Sequence, residues 1–422
     1  IRHYLTKHSY ANTVTADLWD ALEEVSKEPV REVMNTWILQ GGHPLVTLEN
    51  GVLSQRPFAY GAATGPSAIG SSWAVPVFTR SLKGGAATRH LLRDEPLEIT
   101  DEAPVVVNAG GSGVFRSRYA KAELAALSDH LDELEELERA TLVADGWASL
   151  FAGQSDWSDF YAIARGLGDQ DEPATWAPVV AAIDLAHRAL DERQRERFIE
   201  EVRALMVPQF TRLGWDKVPG ENDLAPQVRS LVLGVLGTIV EDAAIRAEAV
   251  RRFEANELDG DLAGSILRIV ASQDRAGDYE TFLERYRHAP TPQDAQRYLR
   301  WGFGAFREER VALDAAEKCF SEFRTQDAST VLGILSRNEV TGPAVWRYFT
   351  GRWDEAIAKF PTDTLDRSTL GVSTFIKDAA FAAAVDAFHT AHPIVGRQRT
   401  VEQALERMHV GVVFADALRR QF

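Results

Sequence analysis

The residues best suited to chemistry lie in one short stretch. Phe323-Arg324-Thr325-Gln326-Asp327-Ala328-Ser329-Thr330 sets a guanidinium, a primary amide and a carboxylate within one helical turn. Arginine grips a carboxylate through two parallel N–H···O bonds, and a carboxamide both donates and accepts. Arg324, Gln326 and Asp327 are therefore candidates for holding a polar ligand, and Arg229 is a fourth. The same residue types also suit a helix start, where Asp327 or Ser329 would accept from free backbone N–H groups.

Other chemistries find little support. The chain has ten histidines and one cysteine, Cys319. His3 and His8 would lie about 140° apart around a helix, on different faces. His389 and His392 share a face, but no carboxylate sits at ligand spacing beside them. No H-E-x-x-H occurs, no phosphate-binding Gly-rich loop and no serine nucleophile elbow. Gly110-Gly111-Ser112-Gly113 reads as a hairpin turn. Trp301, Trp346 and Trp353 read as core residues at helical spacing. The expectation is a chain with no metal site and no catalytic residue of its own.

These candidates need a scaffold. A chain of 422 residues, 45% hydrophobic and 26% charged, is long enough for two or three soluble domains. No run reaches the roughly 18 apolar residues of a membrane span. The net charge of −16 disfavours nucleic acid as a partner. Basic residues are mostly arginine, since only eight of 46 are lysine. The single cysteine excludes an intrachain disulfide and points to a cytoplasmic, reducing location.

Two changes of hydrophobic period divide the chain. Leu18, Leu22 and Val25, with Trp19, make one helical stripe, and Val30, Val33, Met34 and Trp37 make another. Thr15 is placed to cap the first helix, and Gly41-Gly42 ends the second. Two such helices cannot bury both stripes against each other, so they need a partner. From Pro44 seven short β-type runs follow, punctuated by Asn50-Gly51, Gly84-Gly85, Asp101-Glu102 and Gly110-Gly111. Gly61 to Ser72 reads as a mobile hairpin loop. After Tyr119 the pattern is helical to the end, with Leu124, Leu127, Leu131 and Leu134 on one face. Thr291-Pro292 and Thr400-x-x-Gln403 read as helix starts. The fold class is mostly α with a small β domain: an antiparallel β-sandwich, then a large all-α superhelical bowl of armadillo/HEAT type. The divisions are 1–43, 44–118 and 119–422, and the concave face of the bowl is where function is expected.

Several motifs carry a resemblance. Tyr4-Leu5, Tyr10-Ala-Asn12-Thr13, Asp17-Leu18-Trp19, Met34-Asn-Thr-Trp37 and Gly42-His-Pro44 resemble the end of the catalytic domain in aminopeptidase N-like zinc metallopeptidases, the gluzincin aminopeptidases. Asn108…Gly113-Val-Phe115-Arg116…Tyr119 resembles the signature that closes the family's β-sandwich. Glu138-Arg139 with Asp145, Leu213-Gly-Trp215 leading to Arg229, and Arg324-Thr-Gln326-Asp327 with Asn338, Gly342, Trp346 and Trp353 resemble helical-domain segments.

The resemblance implies the C-terminal part of an enzyme that removes N-terminal amino acids from peptides. Its zinc, glutamate base and oxyanion-binding tyrosine would lie upstream of Ile1, so the fragment alone is expected to be inactive. The implied partners are the catalytic domain of the same polypeptide, which would cover the exposed stripes, and a peptide substrate. The bowl would close over the active site, limit access and bind the distal part of the peptide, with Arg229, Arg324, Gln326 and Asp327 as lining candidates. The alternative is a non-catalytic helical-repeat interaction module.

Overall fold

The computed structural model describes residues 1–60, 72–258 and 260–422. The glycine-rich loop beginning at Gly61 falls outside the described residues as far as 71. The chain divides into two compact units, 1–168 and 169–422. The three-part division drawn from hydrophobic period remains a proposal beside them.

The first unit opens with α1 (Arg2–Lys7), α2 (Thr15–Ser26) and α3 (Val30–Ile38). Thr15 does not cap α2. Extended Val14 precedes the helix, and its N–H donates to the Asp17 carboxylate at 2.9 Å. The apolar stripes are poorly covered: Val25 and Ile38 are exposed, and α3 has no fully buried residue. Side chains pin α3 to the unit instead. Trp37 donates its indole N–H to the Ala74 carbonyl at 3.0 Å, and the Ala74 N–H donates to Thr36 Oγ1 at 3.1 Å.

Seven strands follow: β1 (Pro44–Glu49), β2 (Val52–Pro57), β3 (Val75–Ser81), β4 (Thr88–Leu92), β5 (Leu97–Glu98), β6 (Val105–Val107) and β7 (Arg116–Tyr119). They form two sheets, ordered β5-β2-β1-β7 and β4-β3-β6. Asn50 and Gly51 both take positive φ, which matches the twist of a tight β1–β2 hairpin. One pairing departs from the antiparallel expectation: β1 and β7 run parallel, Leu45 opposite Arg116. A parallel neighbour needs a long crossover, and the excursion through the second sheet supplies it. Gln55 of β2 joins the sheets, donating to the carbonyls of Trp73 at 2.6 Å and Arg93 at 2.8 Å.

Helices α4 (Lys121–Ser128), α5 (Glu136–Phe151) and α6 (Trp157–Gly166) complete this unit. The leucines from 124 to 134 do not share one helix. The chain leaves α4 at Asp129, and Leu131–Glu133 forms a separate 3-10 turn before α5 starts at Glu136.

In the second unit the helices alternate between two layers. They are α7 (Pro173–Ala189), α8 (Glu192–Leu213), α9 (Ala225–Thr238), α10 (Ala243–Glu254), α11 (Ala263–Ala271), α12 (Asp278–Arg287) and α13 (Pro292–Arg297). A π turn, Tyr298–Gly302, and a 3-10 turn, Phe303–Ala305, lead to α14 (Glu309–Ser321), α15 (Thr325–Ser336), α16 (Gly342–Thr350) and α17 (Trp353–Lys359). Then come α18 (Leu365–Leu370), the 3-10 turn Gly371–Thr374, α19 (Ala379–Ala391) and α20 (Gln398–Arg419). Thr291 caps α13 as its position suggests, accepting from the Asp294 N–H. Thr400 does not cap α20, which already begins at Gln398.

The inner layer closes on itself. α7 packs on α9, α9 on α11, and α11 on the π turn; the following 3-10 turn packs on α15, α15 on α18, α18 on α20, and α20 on α7. Arg419 secures the closure, donating to the Ala189 carbonyl at 2.8 Å, while Gln194 donates to the Arg419 carbonyl at 2.6 Å. The curved stack is therefore a ring with a lumen. Its tightest joint lies between α15 and α18. A Cβ on Gly333 would stand 2.2 Å from the Arg367 carbonyl oxygen, and one on Gly371 would stand 2.0 Å from that of Gly333.

Gly333→Ala must push these two backbones apart. It is expected to destabilise the second unit by about 2 kcal/mol or more, since overpacked cores relax poorly. Urea unfolding followed by circular dichroism checks this, and an unchanged midpoint would show that the joint is slack.

Candidate functional site

The lumen of the second unit is a cavity of about 1550 Å³. Helix geometry decides which side chains face it. On α15, Thr330, Gly333, Ile334 and Arg337 recur at i, i+3, i+4 and i+7. On α20, Thr400, Gln403, Ala404 and Arg407 repeat the pattern, so the pair read as a capping box lines the cavity. The π turn brings Arg300 and Trp301 to the same space. An extra residue in a helical turn re-aims side chains that 3.6-residue periodicity would place elsewhere.

The electrical character of this wall opposes that of the chain. Eight arginines and four carboxylates line it, in a protein of net charge −16. Arg268 is enclosed by the ring although open to the lumen, and this desolvation lowers its pKa. Its guanidinium lies over the Trp301 ring, 5.4 Å from the centroid; among the described residues no carboxylate stands within ion-pair distance of it, though Asp184 attracts it from farther off. Gly264, one turn earlier on α11, makes room for that indole: a Cβ there would stand 3.2 Å from it.

A second cluster bridges the C-terminal ends of α7 and α15. Arg188 donates to the Arg337 carbonyl at 2.7 Å. Glu339 meets Arg195 at 3.2 Å, His187 at 3.4 Å and Arg307 at 3.8 Å. Burial alone would raise the Glu339 pKa, but His187, Arg195 and Arg188 outweigh it and hold the carboxyl at about 2. Asn338 fixes the loop, donating to the carbonyls of Gly304 at 3.0 Å and Phe306 at 2.9 Å.

The four residues singled out in the sequence stand apart from this cavity. Arg229 is buried, and its role needs correcting. It pairs with Glu221 at 2.5 Å and donates to the Leu213 carbonyl at 3.0 and 3.1 Å, so it ties α8 to α9 and lines nothing. Arg324 and Gln326 are exposed and Asp327 is half-buried, on the first turn of α15 before the lining positions begin. Neither Asp327 nor Ser329 caps that helix with its side chain. Sequence reasoning missed Arg268, Arg300, Trp301, Arg337 and Arg407. Arginine at helical spacing looks the same whether it faces solvent or a lumen. Trp301, read as core, is 42% exposed, while Trp346 and Trp353 are buried as expected.

The family-like residues of the first unit are structural. Tyr119 accepts the Val107 N–H at 2.8 Å, and burial raises its pKa. Asn108 accepts the Gly113 N–H at 2.7 Å. Glu138 pairs with Arg80 at 2.5 Å and accepts the Gly110 N–H at 2.9 Å. Asp145 takes Arg116 at 2.9 Å and the Ser117 N–H at 2.8 Å. Among the described residues, no group of three or more His, Cys, Asp or Glu is arranged to hold a metal ion. No helix among them is long and apolar enough to cross a membrane.

A β unit with flanking helices, followed in the chain by a ring of helices around a basic lumen, defines a C-terminal region of the aminopeptidase kind. The chain belongs to the ERAP1-like C-terminal domain family, whose model matches residues 104–410. The Peptidase family M1 domain matches residues 1–37. Aminopeptidase M1-B of Oryza sativa subsp. japonica is 26% identical, over 99% of this chain and 51% of its own length. Aminopeptidase N of Lactococcus lactis subsp. lactis (strain IL1403) is 26% identical over 98% and 51%, and aminopeptidase A of Gloydius brevicauda 24% over 87% and 40%. The chain thus spans about half the length of the curated relatives it matches.

The Glu339 cluster gives a pH signature. A carboxyl whose folded pKa is depressed stabilises the fold above its unfolded pKa, and that stability is lost as pH falls toward the folded value. Glu339→Gln is expected to cost up to about 3 kcal/mol near neutral pH, with the difference closing between about pH 4.5 and pH 2. Thermal melts across this range check it; parallel curves for parent and variant would remove Glu339 from the account.

Proposed function

We propose that this chain is the C-terminal half of an M1-type zinc aminopeptidase, and that its lumen holds the distal part of a peptide while the N-terminal residue is removed elsewhere. The observation that carries this reading is the ring-lined cavity with arginines on its wall that have no carboxylate partner among the described residues. A cavity of about 1550 Å³ suits a short extended segment. Guanidinium groups bond both the carbonyls and the terminal carboxylate of such a segment. Arg324, Gln326 and Asp327, one turn before the lining positions of α15, are proposed contacts at its edge.

The zinc and the general base are assigned to the catalytic portion of the same polypeptide, outside this sequence. That portion is the proposed cover for Leu5, Val25, Ile38 and Leu39, which are exposed on and beside α1 to α3. Closing over the active site and limiting access to short or unfolded peptides belong to the same proposal, as does a cytoplasmic location. The interaction-module reading is less favoured. Such modules bind along an open concave face, whereas this inner layer closes through α20 and α7.

The chain alone is expected to turn over no aminoacyl anilide. In the whole enzyme, Arg337→Ala should raise KM for longer peptides about tenfold, the loss of one charge-assisted contact. A single-residue anilide should be unaffected, because it never reaches the lumen. Steady-state kinetics on both substrates decide the matter: equal losses on the two would place Arg337 in the scaffold and defeat the reading.

A further inference from the structure

The distribution of charge around the lumen says more than that it is basic. Three of its four carboxylates are already engaged: Asp184 by Arg188, Glu339 by Arg195 and Asp366 by Arg397. Of the eight arginines, Arg188, Arg297 and Arg307 have carboxylate partners. Arg268, Arg300, Arg337, Arg367 and Arg407 have none among the described residues, and only Asp261 stands unpaired against them. These five come from α11, the π turn, α15, α18 and α20, so they surround the space instead of marking one charged helix face.

A peptide brings one terminal carboxylate, which satisfies one or two arginines. The others remain unneutralised around the lumen, open to its solvent, and like charges gathered round one space repel one another. Arg268 illustrates the consequence. One face of its guanidinium is covered by Trp301, which fixes the group and leaves its edge donors free. No lysine lines the cavity, and arginine is the residue whose planar fork matches a carboxylate.

We propose that the lumen selects peptides carrying several acidic side chains beyond their N-terminal residues, an inference that rests on the peptide-binding reading above. Successive Asp or Glu carboxylates pair with arginines on different inner elements, so an extended segment with spaced acids fits best. Basic peptides are repelled. Selection is thus made by charge at positions remote from the bond that is cut.

The test uses this chain and three fluorescent peptides of equal length with free C-termini, bearing several Glu, Gln or Lys residues at the same positions. By fluorescence anisotropy the Glu peptide is expected to bind at least about tenfold more tightly than the Gln peptide, and the Lys peptide more weakly still. The advantage should shrink between about 50 and 300 mM salt, as the added ions shorten the distance over which the charges attract. The double variant Arg268→Gln/Arg407→Gln should lose most of the Glu advantage and keep the Gln affinity, while Arg268→Lys retains part of it. Arg300→Gln, at an exposed side chain, serves if the double variant melts early. Equal affinity for Glu and Gln peptides overturns the selection while leaving peptide binding intact. Binding of inorganic tripolyphosphate without a Glu advantage overturns it in favour of a small-anion site. Failure of all three peptides to bind overturns the peptide-binding reading itself, and this inference with it.

Discussion

The second unit depends on a contact between backbones. At Gly333 and Gly371, α15 and the turn after α18 touch with no side chain between them. The inner layer uses the same device elsewhere: a Cβ on Gly237 would stand 2.4 Å from Ile269, and one on Gly304 2.4 Å from Ile334. Neighbouring inner helices can approach this closely only where one of them lacks a Cβ. The outer layer, with Phe253, Phe282, Phe320 and Phe349, is filled by bulky side chains. Thin packing inside and thick packing outside make the stack curve, and enough curvature brings α20 round to α7.

Closure changes what the lining residues experience. On an open concave face the arginines would be solvated surface groups of little energetic consequence. Inside a ring they face one space, which desolvates Arg268 and leaves a crowding of like charge. The Glu339 cluster relieves it at one place, where a carboxylate is held among Arg195, His187 and Arg307. Elsewhere the wall is left unneutralised. That imbalance is what a carboxylate-bearing ligand would offset.

The first unit shows the opposite economy of charge. Glu138 and Asp145 are buried, and each is fully engaged by an arginine and backbone N–H groups. They fasten α5 to the turn before β7 and to β7 itself, and Asn108 and Tyr119 lock the same turn from within. Charged residues in family-like motifs are here hydrogen-bonding hardware. Arg229 in the second unit is another case: its place in a recognisable segment reflects a buried tie to Glu221, not a ligand contact.

The seven strands, the change to helix after Tyr119 and the family were legible in the residues alone. Each rests on local information: alternation of period two, Asn50-Gly51 at a tight hairpin, Thr291-Pro292 at a helix start, and short motifs at fixed spacing. Three things were decided only in the tertiary structure. The parallel β1–β7 pair depends on where a long excursion returns. The ring depends on Arg419 meeting Ala189 across most of the second unit's length. The lining arginines depend on both the ring and the π turn, since an arginine's helical position is the same on an outer face and an inner one. Periodicity reports which side of a helix is polar. It carries no record of whether that side faces open water or a space that the rest of the chain has enclosed.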